Sequence, residues 1–130
     1  MKSEAEIRDD IYSYIKSTAL AKAITGRIYA DKRERNSKLE DVYIRVSAVT
    51  FGQVQTAIVE VHIYVSDILR NSDSVRDTAR ERELAKIAAD VFAVYHSGTW
   101  RITMESQEVV AVEDIQQHDI ICNLYYQHCN

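Results

Sequence analysis

The chain has 130 residues, a mass of 14.9 kDa, 46% hydrophobic and 28% charged residues, and a formal net charge of −4. That size matches one globular domain of roughly 100–200 residues, and the balance excludes a disordered or fibrous chain. Cys122 and Cys129 make no disulfide framework, Met1–Glu6 lacks an apolar signal stretch, and no run of about 18 apolar residues occurs, so a reducing cytosolic setting without a membrane span is expected.

Charge is unevenly placed. Residues 1–40 carry nine Lys/Arg against seven Asp/Glu, and residues 41–130 carry seven against thirteen. An acidic body argues against a broad nucleic-acid face, whose affinity comes from neutralised phosphates. The basic cluster Lys32, Arg33, Arg35 and Lys38 has no interleaved aromatic residue and no helical period, so it reads as a solvated loop rather than a DNA contact.

There is no proline, and Gly26, Gly52 and Gly98 each sit where the hydrophobic period changes. Ser3-Glu4-Ala5-Glu6 has the form of a capping box. Ile7, Ile11, Tyr14, Ile15 and Thr18 follow at helical spacing, predicting a first helix from about 4 to 24 that Gly26 ends. Arg27–Ala30 reads as a short strand before the charged loop 31–40.

Val42, Ile44, Val46 and Ala48 then alternate with polar residues, as do Ala57, Val59, Val61, Ile63 and Val65. Opposite parities require paired residue numbers with an odd sum. A two-residue turn at Gly52-Gln53, glycine first as type II′ requires, pairs Val46 with Val59, Ile44 with Val61 and Val42 with Ile63. The other face then sets Arg45 opposite Glu60 and Tyr43 opposite His62, and a one-residue slip would turn an apolar set to water.

Ser74–Asp77 can open a second helix, whose stripe Ala79, Leu84, Ile87, Ala88, Val91, Phe92 and Tyr95 continues to about 96, before Gly98. Trp100, Ile102 and Met104 predict a fourth strand, Val109–Asp114 a turn region, and Ile120, Cys122, Leu124 and Tyr126 a fifth strand. The predicted class is α+β: an antiparallel sheet of about five strands with two helices on it, in the order α-β-β-β-α-β-β and one domain over 1–130.

Chemistry-bearing patterns are few. No Gly-rich phosphate loop, nucleophile elbow or paired metal-ligand motif occurs. His118 and Cys122 would lie about 13 Å apart on one strand, too far to share a zinc ion, and His128 and Cys129 read as a frayed tail. Asp41, Glu60 and His62 suggest the acidic strand pairs of metal-dependent nucleases, but the register sets Asp41 opposite Tyr64 and Glu60 against Arg45. Arg80–Glu83 reads as a solvated charge run. No catalytic, cofactor or metal residue is therefore expected. Core-edge packing explains most of the eight tyrosines, but Tyr43 and Tyr64 on the outer face of the hairpin, with the apolar Val49, Phe51, Val54 and Ile58 around them, point to a protein partner.

Gly26–Tyr29, the charged loop, Glu40–Val46, Val61–Asp67, and a helix followed by Trp100–Gln107 and a closing strand together resemble small tail-completion or tail-terminator proteins of long-tailed bacteriophages and prophages. The resemblance implies a non-enzymatic structural protein without cofactor, forming a ring, usually a hexamer. The ring caps the tail tube and meets the head connector, with DNA only passing through. It also implies assembly in the bacterial cytoplasm and residence in the virion. The interface expected, with another copy or a tail partner, is the hairpin through Tyr43, Arg45, Phe51, Val54, Glu60 and Tyr64. The rival readings are a mobile-element accessory protein binding another protein as monomer or dimer, and a metal-dependent nuclease.

Overall fold

Ser3 opens the first helix in the computed structural model, which describes residues 1–30 and 32–129. Its hydroxyl accepts from the Glu6 amide at 3.3 Å while Glu6 Oε1 accepts from the Ser3 amide at 3.2 Å, so the capping box forms. Helix α1 spans Glu4–Lys16 and buries Ile7, Ile11 and Ile15. It does not run to 24. The Ser17 and Thr18 hydroxyls bond back to the carbonyls of Tyr14 and Ile15, and Thr18 turns extended, so the short α2 (Ala19–Ala23) starts afresh.

Gly26 is not the helix stop either. It is the point where the chain passes so close to the start of β2 that a Cβ would stand 2.0 Å from Asp41 Oδ1 and 2.7 Å from the Glu40 carbonyl. Its amide bonds that carbonyl at 3.0 Å. Strand β1 (Ile28–Tyr29) then pairs parallel with β2 (Val42–Ser47), the one departure from an antiparallel sheet. The intervening segment of about a dozen residues is the minimum a parallel crossover needs.

Strand β2 pairs with β3 (Val54–Ser66) in the expected register, Val42↔Ile63 to Val46↔Val59, with Tyr43↔His62 and Arg45↔Glu60 on the other face. The turn differs. Pairing ends at Ser47↔Ile58, Ala48 takes φ 51°, and Thr50 closes a wider loop by bonding Thr56 through backbone and hydroxyl. The glycine-first two-residue turn occurs elsewhere, at Gly98-Thr99, where Gly98 has φ 54° between paired Ser97 and Trp100.

After β3 a separate hairpin, β4 (Ile68–Arg70) and β5 (Asp73–Val75), turns through Asn71 and Ser72 at positive φ. Helix α3 (Thr78–Phe92) is capped by Asp77, which accepts from the Arg80 amide at 3.1 Å. It stops at Phe92 rather than 96, because Val94–Ser97 becomes β6 and pairs with Trp100–Thr103. Tyr95 therefore belongs to a strand. Strand β7 (Trp100–Val112) runs through the segment predicted as a turn, since Val109, Val110 and Val112 continue the ladder with β8 (Gln117–Cys129). A bulge falls at Glu105, and the 3₁₀ turn Glu113–Ile115 joins the two strands.

The main sheet has six strands in the order β1-β2-β3-β8-β7-β6, where five were expected, and three helices instead of two lie on it. The class is α+β. The core joins Ile7, Ile11, Ile15, Leu20, Leu84 and Phe92 from the helices to the inward parity of β2, β3 and β8. Tyr126 is fully buried in it, donating to Asp10 at 2.9 Å. Strand β8 stays paired to its end, His128 with Gln55 and Cys129 with Val54, so no frayed tail exists at these residues.

Candidate interaction surface

Side chains of the opposite parity form the helix-free face of the sheet. In register across it stand Tyr43, His62 and Ile121, then Arg45, Glu60 and Asn123, then Tyr64 and Asp119. A polar relay crosses three strands there: Arg45 Nη1 to Glu60 Oε2 at 3.4 Å, His62 Nε2 to Glu60 Oε1 at 3.0 Å, and His62 Nδ1 to Asp119 Oδ2 at 2.7 Å. Burial alone would lower the His62 pKa, but the hydrogen bonds to Asp119 and Glu60 outweigh it, and the net direction is upward. Tyr43 and Tyr64 flank the imidazole, with ring centroids 5.7 and 6.4 Å away.

The loop before β2 closes over one end of this face. The Arg33 guanidinium lies 3.9 Å from the Tyr64 ring centroid and donates to Asp41 Oδ2 and Gln117 Oε1, each at 2.9 Å. Asp41 is fully buried and also accepts from the Arg27 amide and the Ser37 hydroxyl. The basic loop is thus only partly solvated: Lys32 and Arg35 are exposed, Lys38 reaches the Ile115 carbonyl, and Arg33 turns inward as a pin. The Asp41 carboxylate is a scaffold for the crossover. It sits opposite Tyr64, four positions and about 13 Å along the strand from Glu60. Among the described residues no group of three or more His, Cys, Asp and Glu is arranged to hold a metal ion. His118 instead bonds Asp67 at 2.7 Å, and Cys122 lies in the core.

Of the six interface residues read from the sequence, Tyr43, Arg45, Glu60 and Tyr64 share the open face, with Val54 on the same parity of β3. Phe51 projects from the loop beyond it. Phe51 is 66% and Val54 51% exposed. Sequence reading missed Asp119, because β8 was begun at Ile120; the alternation of the strand, carried back, sets it diagonal to His62. It also missed two apolar exposures at the far end of the sheet, Ile68 and Leu69 on β4 and Val109 and Val110 on β7. The Asn71-Ser72 pair and the β-branched run 109–112 were their available signals. The Arg80–Glu83 run is likewise split, with Arg80 bound to Glu40 and Glu81 buried, while Arg82 and Glu83 face water.

No protein-family model matches this chain, and no curated protein matches it. No helix among the described residues is long and apolar enough to cross a membrane.

Proposed function

We propose that this chain is a structural assembly subunit, a tail-terminator or tail-completion protein whose copies form a ring, hexameric by resemblance, that caps a phage tail tube and joins it to the head connector. The observation that carries the reading is the placement of exposed apolar side chains. Six of the nine exposed large hydrophobics among the described residues stand in pairs, at the hairpin tip (Phe51, Val54), on the β4–β5 hairpin (Ile68, Leu69) and on β7 (Val109, Val110), while Met1, Leu39 and Val94 lie singly elsewhere. Separate apolar patches suit a subunit that meets several protein neighbours at once. The open face adds Tyr43, Tyr64 and Arg45, residue types enriched at interfaces. The net charge of −4 is consistent with a ring that DNA passes without binding.

A nuclease built on Asp41, Glu60 and His62 is disfavoured by the use already made of each group, since Asp41 holds the crossover and Glu60 and His62 hold each other. The test is solution mass by light scattering across a concentration series, followed by electron microscopy with purified tail tubes. A mass near six times 14.9 kDa, or rings on tube ends, is expected. A monomer at every concentration that leaves tubes uncapped overturns the reading, and capture of another protein by that monomer would favour the accessory role.

A further inference from the structure

We infer that copies of this chain join arm to edge: the β4–β5 hairpin of one copy lies along the outer edge of β7, residues 105–112, of the next. The inference rests on the reading that copies assemble, and it names the contact.

The arm is a two-stranded sheet of its own, three residues to a strand, apart from the main sheet. Such a hairpin is marginal alone in water. Yet it presents Leu69 at 75% and Ile68 at 40% exposure. The edge has the complementary defect. Strand β6 covers β7 only over Trp100–Thr103, and beyond the bulge at Glu105 the strand has β8 on one side and, among the described residues, no strand on the other. The bulge at Glu105 and the charges of Glu105 and Glu108 guard the start of this edge, but residues 109–112 contain no charge and no proline, and Val109 and Val110 stand 38% and 43% exposed on its two faces. Unpaired backbone groups flanked by apolar side chains accept an added strand.

Charge favours β4 as the strand that meets the edge: it carries Arg70, with Asp73 opposite it on β5, and the edge carries Glu105 and Glu108, none of Arg70, Glu105 and Glu108 forming an ion pair among the described residues. Self-pairing of two β7 edges would instead bring these glutamates together. Arm and edge lie at the same end of the sheet, where Ser66 and Val112 both pair with Gln117. Because the two patches differ, the contact is heterologous and closes into a ring when its rotation permits. It leaves the tip with Phe51 and Val54, about 40 Å away along thirteen-residue strands, for a different component.

The test uses two variants. Leu69→Asp with Arg70→Glu spoils the arm, and Val110→Asp spoils the edge, all at exposed positions. Each alone is expected to be a folded monomer of 14.9 kDa by light scattering and circular dichroism, and an equal mixture a pair of twice that mass, because one intact arm meets one intact edge. Either variant assembling like the wild type, or a mixture that stays monomeric, overturns the arm-to-edge contact while self-assembly stands. A wild type that is monomeric at every concentration and leaves tail tubes uncapped overturns both. If a variant fails to fold, Leu69→Cys with Val110→Cys in a Cys129→Ser background reads the same contact. Oxidation of the assembled protein should give a covalent ladder, and its absence overturns the contact.

Discussion

Arg80 grips Glu40 through two hydrogen bonds, Nε to Oε2 at 2.6 Å and Nη2 to Oε1 at 2.7 Å, joining the first turn of α3 to the segment that leads into β2. Nη2 also donates to the Ala23 carbonyl at 2.6 Å, and the carboxylate accepts from the Thr25 amide. The hydrogen bonds to Glu40 hold the Arg80 pKa above its ordinary value. Arg80→Leu strands a carboxylate that is only 12% exposed, and should cost about 2–4 kcal/mol in urea unfolding. Arg80→Leu with Glu40→Leu should recover part of that loss, since the orphaned charge goes with its partner.

Gly26 and Gly52 should answer an added methyl group in opposite ways. At Gly26 the new Cβ meets Asp41 Oδ1 and the Glu40 backbone inside 3 Å, and neither can yield without releasing the crossover. Gly26→Ala is expected to destabilise by about 3 kcal/mol or more. At Gly52 the nearest atom is 3.8 Å away, so Gly52→Ala should stay within about 0.5 kcal/mol of the wild type. Urea midpoints of the two variants check both.

His62 makes stability depend on pH. Its pKa in the fold is raised above 6.5, so its contribution is complete below about 6.5 and is lost as pH rises through the folded value. Melting temperature should therefore fall as pH rises past about 6.5 through this group, and His62→Gln should flatten that part of the profile. An imidazole titration by NMR with a midpoint at or below 6.5 would contradict the relay.

The two thiols should differ sharply in reactivity. Burial pushes the Cys122 thiol up to about 11, while Cys129 is exposed. At mildly alkaline pH an alkylating reagent is expected to label Cys129 alone in the folded chain and both cysteines in denaturant, as mass spectrometry will count.

Phe51→Glu with Val54→Lys should leave the melting temperature unchanged, because both side chains are more than half exposed. If copies join arm to edge and the proposed tail-tube contact is made by the tip, the assembled mass should also stay the same while capture of tail tubes is lost. A fall to monomer would place the hairpin tip between copies.

What could be read from the sequence was whatever depends on parity alone. The β2–β3 register followed from two alternating runs of opposite parity, since any slip would expose Val59 and Val61. The turn did not follow, because Ala48 at positive φ and the Thr50–Thr56 hydroxyl pair absorb residues that a tight turn would have used. Tyr95 fits a helical stripe as well as a strand, and pairing with Ile102 decides it. Arg33 looked like one of four solvated cations; its inward turn depends on Asp41, Gln117 and Tyr64, the last two distant in sequence. Of the interaction surface, the open hairpin face was legible because it is the complement of the core parity. The arm and the bare edge were not, since exposure of a strand's side depends on which strands fail to cover it.

The place of β8 has a consequence for how the chain folds. It lies between β3 and β7, pairing residue by residue from Ser66↔Gln117 to Val54↔Cys129 on one side, yet it is last in chain order. Until residues 117–129 leave the ribosome, the β2–β3 and β6–β7 ribbons have no common neighbour, and contacts so distant in sequence form slowly. Only then can the sheet close, and the same strand that completes the core also backs the β7 edge. A nascent chain therefore cannot offer a finished edge before it has a finished interior.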